Sequence, residues 1–223
     1  MLNENGTINF EVINLALAGG NTKHELDELV KHGLNYNSDM VILGLFLNDI
    51  EIINERPEWI NDEQKDLTPF PLPQGIHDYL KQKSYLWRFI TSRYNFNKRS
   101  NGYRSYIKTQ YKEDTENRKL FTEILKSFID ECSQNNMQLY VVIWPFFVNL
   151  NDSYAFTNAH IFLANLLQEN QIPYIDLFKI FFGKNGKSFW VRSTDSHPNA
   201  TAHEIAAKAI YNDLLKQGLV TPN

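Results

Sequence analysis

Two near-continuous apolar runs, FEVINLAL at 10–17 and DMVILGLFL at 39–47, restrict what this chain can fold into more than any other feature. A strand that is apolar along nearly its whole length needs cover on both faces, which parallel sheets provide through crossover helices. The residues between the runs fit such a crossover. AGGN breaks the first run, and Thr22 then stands as an N-cap with Glu25 three residues on, the capping-box spacing. Leu26, Leu29 and Val30 share a helix face, and the helix stops near Gly33. The first fifty residues thus read strand–helix–strand, a βαβ unit of a parallel sheet.

The alternation resumes in the second half. Residues 116–134 predict an amphipathic helix through Leu120, Ile124, Leu125, Phe128 and Ile129. QLYVVIWPF predicts a third strand ended by Pro145, 156–169 another helix, and IPYIDLF a short fourth strand. Pro198 fits the first turn of a last helix, with Ala202, Ile205, Ala206, Ala209, Ile210 and Leu214 on its inner face and Gly218 beyond its end. Between the halves, Pro57, Pro69, Pro71 and Pro73 make 51–75 irregular. Residues 76–94 return to a helical pattern with Leu80, Leu86, Trp87 and Ile90. RYNFNKRSNGYRSYIKTQYK, at 93–112, reads as a solvated linker with half-buried tyrosines, or else as a lid or surface-binding segment. No repeat and no second core is visible, so 1–223 reads as one α/β domain with an insertion or lid at about 51–115.

Composition narrows the function class. With 43% apolar and 22% charged residues the chain is an ordinary globular one. Its net charge of −4 argues against a nucleic-acid partner. The single cysteine, Cys132, excludes an internal disulfide and a Cys-rich zinc site, and reads as a buried structural thiol. No stretch reaches the roughly 20 apolar residues of a transmembrane helix, and no signal peptide opens the sequence. The compartment and the oligomeric state are open. His24 and His32 lack a third ligand in register, and His197 and His203 fall on different faces, so neither a metal nor a cofactor is expected.

Ligands of open parallel sheets bind beyond the carboxyl ends of the strands. Gly19 and Gly20 follow the first strand, Asn48 and Asp49 follow the second, and Asp195 with His197 precedes the last helix. Singly, these are a tight turn, an Asx turn and a capping pair. Jointly they converge on one sheet edge with complementary chemistry. The Gly19 N–H and the Asn48 amide are uncharged donors suited to an oxyanion. His197 is a base near neutral pH, and Asp195 can fix its tautomer. Such a set asks for a hydroxyl nucleophile and suits acyl transfer.

VINLALAGGNT, GLFLND and DSHPNATAH resemble, in order, the second, third and fifth conserved blocks of the SGNH (GDSL-like) hydrolases. The resemblance covers most of the chain apart from about 51–115. It implies a flavodoxin-like three-layer α/β/α sandwich around a mainly parallel sheet, with Gly19 and Asn48 as oxyanion donors, His197 as general base and Asp195 as its partner. The implied activity is hydrolysis of a small-molecule or carbohydrate ester through a serine acyl-enzyme. A carbohydrate O-acetyltransferase, or a non-catalytic binder of glycan or acyl ligands, would use the same residues. Two departures stand out. The spacing here is Asp-x-His, where Asp-x-x-His is commoner. The family's first block, a central strand ending in Gly-Asp-Ser, has no counterpart, for no serine occurs before Asn14. Ser38, Ser84, Ser193 and Ser196 are poor substitutes, so a chain truncated before its nucleophile, and inactive as given, is expected.

Overall fold

The computed structural model describes residues 10–61 and 67–221. The chain divides into two compact units, Met1–Ile52 with Gln110–Asn223, and Ile53–Thr109.

The first unit is α/β. Its sheet holds β1 (Met40–Phe46), β2 (Gln138–Trp144) and β3 (Tyr174–Asp176), all parallel and in the order β1-β2-β3. β1 runs in register with β2 from Met40 opposite Gln138 to Phe46 opposite Trp144. β2 is central, and its residues from Leu139 to Trp144 are all buried, as a strand covered on both faces must be. The helices are α1 (Thr22–Lys31), α5 (Glu116–Gln134), α6 (Thr157–Glu169), α7 (Leu177–Phe181) and α8 (Ala200–Lys216). α1 packs on α5 and α7 on α8, while α5 and α7 each touch β2. Phe121, Leu125, Phe128 and Cys132 form the buried stripe of α5, and burial raises the Cys132 thiol to about 11, which leaves it an inert core group. Asp176 ends β3 and caps α7 through Phe178 N–H at 3.0 Å, so IPYIDLF yields only three strand residues. Its carboxylate also meets His160 Nδ1 at 2.8 Å inside the core.

Residues 10–17 form no strand. A strand is defined by a neighbour to pair with, and among the described residues the only ladder on β1 is with β2. The segment instead satisfies itself locally, Ala16 N–H donating to Asn14 Oδ1 at 3.0 Å. Its side chains show the consequence, Val12 being 81% and Leu17 48% exposed. Leu15 does find cover against α1: a Cβ on Gly33 would come within 3.0 Å of Leu15 Cδ1 and 2.8 Å of Leu29 Cδ1, so glycine permits the approach.

Three further expectations need correction. The N-cap of α1 is Asn21, which accepts from the Lys23 and His24 N–H groups, while the His24 ring returns the bond. Thr22 is instead fully buried, and Val30 is 45% exposed. Pro198 ends a strand rather than opening α8. β4 (Trp190–Arg192) and β5 (Asp195–Pro198) form an antiparallel pair, and Asn199 caps α8.

The second unit is helical, with α2 (Glu58–Asn61), α3 (Gln74–Lys83) and α4 (Tyr85–Gln110). Ser84 separates α3 from α4 and accepts from Trp87 N–H at 3.1 Å, and Trp87 packs edge-on against the buried His77. The stretch read as a linker, 93–112, is helix as far as Gln110. Ser-Asn-Gly at 100–102 resembles a turn, yet it lies inside α4.

Candidate functional site

A cavity of about 550 Å³ opens in the first unit along the free edge of β1. Ile13 to Leu17, Met40 to Gly44, Phe128 and Met137 are among its lining residues. Gly19, Gly20, Asn48, Asp49 and His197 line it as well, so the candidates from all three sequence sites face one space.

Each is held by local chemistry. Gly20 N–H donates to Leu17 O at 3.2 Å, closing a turn in which Gly19 has a φ of +73°, which glycine adopts without strain. Asn48 lies in the single 3₁₀ turn Leu47–Ile50 after β1. That turn is tied at both ends: the Tyr111 hydroxyl donates to Leu47 O at 2.9 Å, and Glu51 N–H donates to Asn48 O at 3.0 Å.

His197 and Asp195 sit on β5, two residues apart and therefore on the same side of the strand. His197 Nδ1 lies 2.6 Å from Asp195 Oδ1. A carboxylate can only accept, so Nδ1 carries the proton and Nε2 is left as the basic nitrogen. The His197 ring and then its backbone N–H hold the Asp195 carboxyl below the usual carboxylate range. The ring is 85% exposed and Asp195 27%. Asn199 anchors this hairpin: its amide donates to Ser188 O at 2.9 Å and Trp190 O at 3.2 Å, and its Oδ1 accepts from Ala202 N–H. Trp190 Nε1 adds a bond to Phe147 O at 2.8 Å.

Two carboxyl groups in the cavity had no chemical role in the sequence reading, which placed Asp49 beside Asn48 and took Glu25 for a capping partner. Burial raises Glu25 to about 7, and its Oε2 is buried with no hydrogen-bond partner. Burial, then the nearby Glu25 charge, raises Asp49 well above the carboxylate range, opposed by Phe46 N–H donating to Oδ2 at 2.7 Å. The signal for Glu25 was present. Thr22, Glu25 and Leu29 recur at helical spacing, and Thr22 and Leu29 are both buried. Reading Glu25 as a capping partner for Thr22 hid that stripe.

Among the described residues, no serine of the cavity wall lies at the Asn48 end of β1. Ser38 is the one serine among the lining residues, but it precedes β1, whereas Asn48 follows it. Seven strand residues at about 3.3 Å each hold those ends roughly 20 Å apart. Ser196 alternates to the side of β5 opposite His197. Among the described residues, no three or more His, Cys, Asp or Glu side chains group so as to hold a metal ion, and no helix is long and apolar enough to cross a membrane. No protein-family model, curated protein or solved structure matches the chain.

Proposed function

We propose that the first unit is the acid–base and oxyanion part of an SGNH-type ester hydrolase with a flavodoxin-like three-layer order, completed by a strand that brings the nucleophilic serine into the cavity. One observation carries this reading: His197, hydrogen-bonded through Nδ1 to Asp195, lines the same cavity as Gly19 and Asn48. In the reaction, His197 Nε2 takes the serine proton as Oγ attacks the ester carbonyl. The Gly19 N–H and the Asn48 amide stabilise the oxyanion that forms. His197 then returns the proton to the leaving alcohol, and a water activated by the same nitrogen releases the acyl group. Asp195 keeps the ring in the competent tautomer throughout.

A strand laid parallel on the free edge of β1 would end beside Asn48, since parallel strands share their carboxyl ends. The test fuses an apolar strand ending in Gly-Asp-Ser ahead of residue 1 through a flexible linker and measures p-nitrophenyl acetate hydrolysis. The unfused chain is expected to show negligible turnover, and the fusion measurable turnover that His197→Ala abolishes. Asn48→Ala in the fusion is expected to lower kcat by roughly a hundred- to a thousandfold. A fusion whose β1 amides become protected from exchange, yet which cleaves no ester, defeats the reading. So does robust turnover by the unfused chain that His197→Ala leaves intact.

A further inference from the structure

We infer that the second unit docks on an anionic lipid surface through the outer side of α3 and the first turns of α4. Two observations meet there. The first is charge. Residues 67–109 hold eight of the chain's 22 Lys and Arg residues but only one of its 26 acidic residues, Asp78. A chain of net charge −4 thus concentrates cations in one segment while the remainder is strongly acidic. α4 contains no acidic residue in its 26 positions.

The second is exposed apolar surface on the same segment. Tyr85 is 78%, Leu86 65% and Phe89 51% exposed. With Ile90 they fall within a ~140° arc of α4, at 100° per residue. The opposite side of this stretch is the packed one, for Trp87 and Thr91 are buried. On α3, Tyr79 is 62% exposed, and Lys81 and Lys83 form its exposed last turn. The chain crosses from α3 to α4 at Ser84, and the Arg88 guanidinium returns to Lys81 O and Gln82 O at 2.9 and 3.1 Å. That contact brings the Lys81–Lys83 turn and the apolar stripe beside each other. Arg93 lies over the Phe89 ring, 5.6 Å from its centroid.

Aromatic and aliphatic side chains bordered by Lys and Arg on a helix face are the composition of an interfacial helix, lying in the headgroup plane with its apolar side in the acyl boundary. Tyr79 and Tyr85 suit that depth, being apolar rings with polar tips. A soluble polyanion would need the cations and have no use for Leu86 and Phe89, which is why a lipid surface is the occupant inferred. The inference stands apart from the ester-hydrolase reading and needs no nucleophile.

The test is sedimentation of the full chain with phosphatidylcholine vesicles, with and without phosphatidylglycerol. Binding to the anionic vesicles only is expected, weakening as salt is raised. Lys81→Gln with Lys83→Gln is expected to lower the partition coefficient roughly twenty-five-fold, at about fivefold per cation. Leu86→Ser with Phe89→Ser is expected to lower it at least tenfold, with circular dichroism unchanged because both side chains are exposed. Four results overturn the inference: no binding at low salt, equal binding to neutral vesicles, and anionic binding that heparin removes while the Leu86/Phe89 pair leaves it intact, which would mark a soluble-polyanion site. The fourth is a dimer in light scattering that the Leu86/Phe89 pair dissociates, which would make the face a contact between copies of this chain.

Discussion

Glu25 is the least comfortable residue in the first unit. Its carboxyl is buried on the cavity wall, one oxygen has no partner, and it lies near Asp49. Its folded value of about 7 exceeds the ordinary 4.5. An acid whose folded value is raised binds its proton more tightly in the folded state, so stability falls as pH rises between the two values. Below about 4.5 both states are protonated and nothing is lost; above about 7 the whole penalty applies, on the order of 2–3 kcal/mol. Glu25→Gln keeps the shape and removes the charge. It is expected to raise stability by about that much at pH 8, with the gain gone by pH 4.5, as read from urea melts of both proteins. An equal gain at both pH values would show that the effect is packing and not ionisation. The same buried oxygen is an acceptor awaiting a donor, so a backbone N–H or a cation brought into the cavity would lower the Glu25 value again.

Among the elements, β1 differs from β2 in having one bare edge. β2 is paired on both sides from Val141 to Ile143, whereas among the described residues β1 is paired only with β2. No described strand pairs with its other edge, and Ile42 on this strand is 50% exposed. Hydrogen exchange followed by NMR is expected to show alternate amides of Met40–Phe46 exchanging far faster than those of Val141–Ile143. Uniform protection along β1, equal to that of β2, would mean that something already covers the edge. The elements also show why part of the fold was legible in the sequence. Residues 116–134 form one helix with the predicted limits, because Phe121, Leu125 and Phe128 define its buried face through local spacing alone. FEVINLAL carries an equally strong strand pattern, but pattern gives only the capacity to pair, and the neighbour it needs is not in the described chain. At Pro198 the local signal suited a helix start, and the antiparallel partner Trp190 overrode it. The candidate residues divide the same way. Gly19, Asn48 and His197 were picked out by local turn and capping patterns, and all three line the cavity. Glu25 and Asp49 acquire their character from burial, which only the tertiary fold reveals.

At the scale of the whole molecule, the open cavity forgoes stability as well as chemistry. Val12, Leu17 and Ile42 remain largely in water, and full burial of such a side chain is worth about 1.5–3 kcal/mol. Typical domain stability is about 5–15 kcal/mol, so leaving several of them bare consumes much of the margin. The chain alone is therefore expected to melt near or below about 45 °C, the lower end of the mesophile range. A strand seated on β1 would bury Ile42, cover the inner side of 10–17, pair the bare edge and give Glu25 a donor. With about 2–4 °C of Tm per kcal/mol for a chain of this size, a gain of several kcal/mol corresponds to ten degrees or more. Thermal melts by circular dichroism on the chain alone and on the Gly-Asp-Ser strand fusion measure this directly, and replacing the fused serine with alanine should leave the gain in place, because the strand and not its nucleophile supplies it. A monomer of the unfused chain that melts cooperatively above about 60 °C, with the β1 amides still exchanging freely, would show that the cavity costs the fold little and that the free edge of β1 is a finished surface.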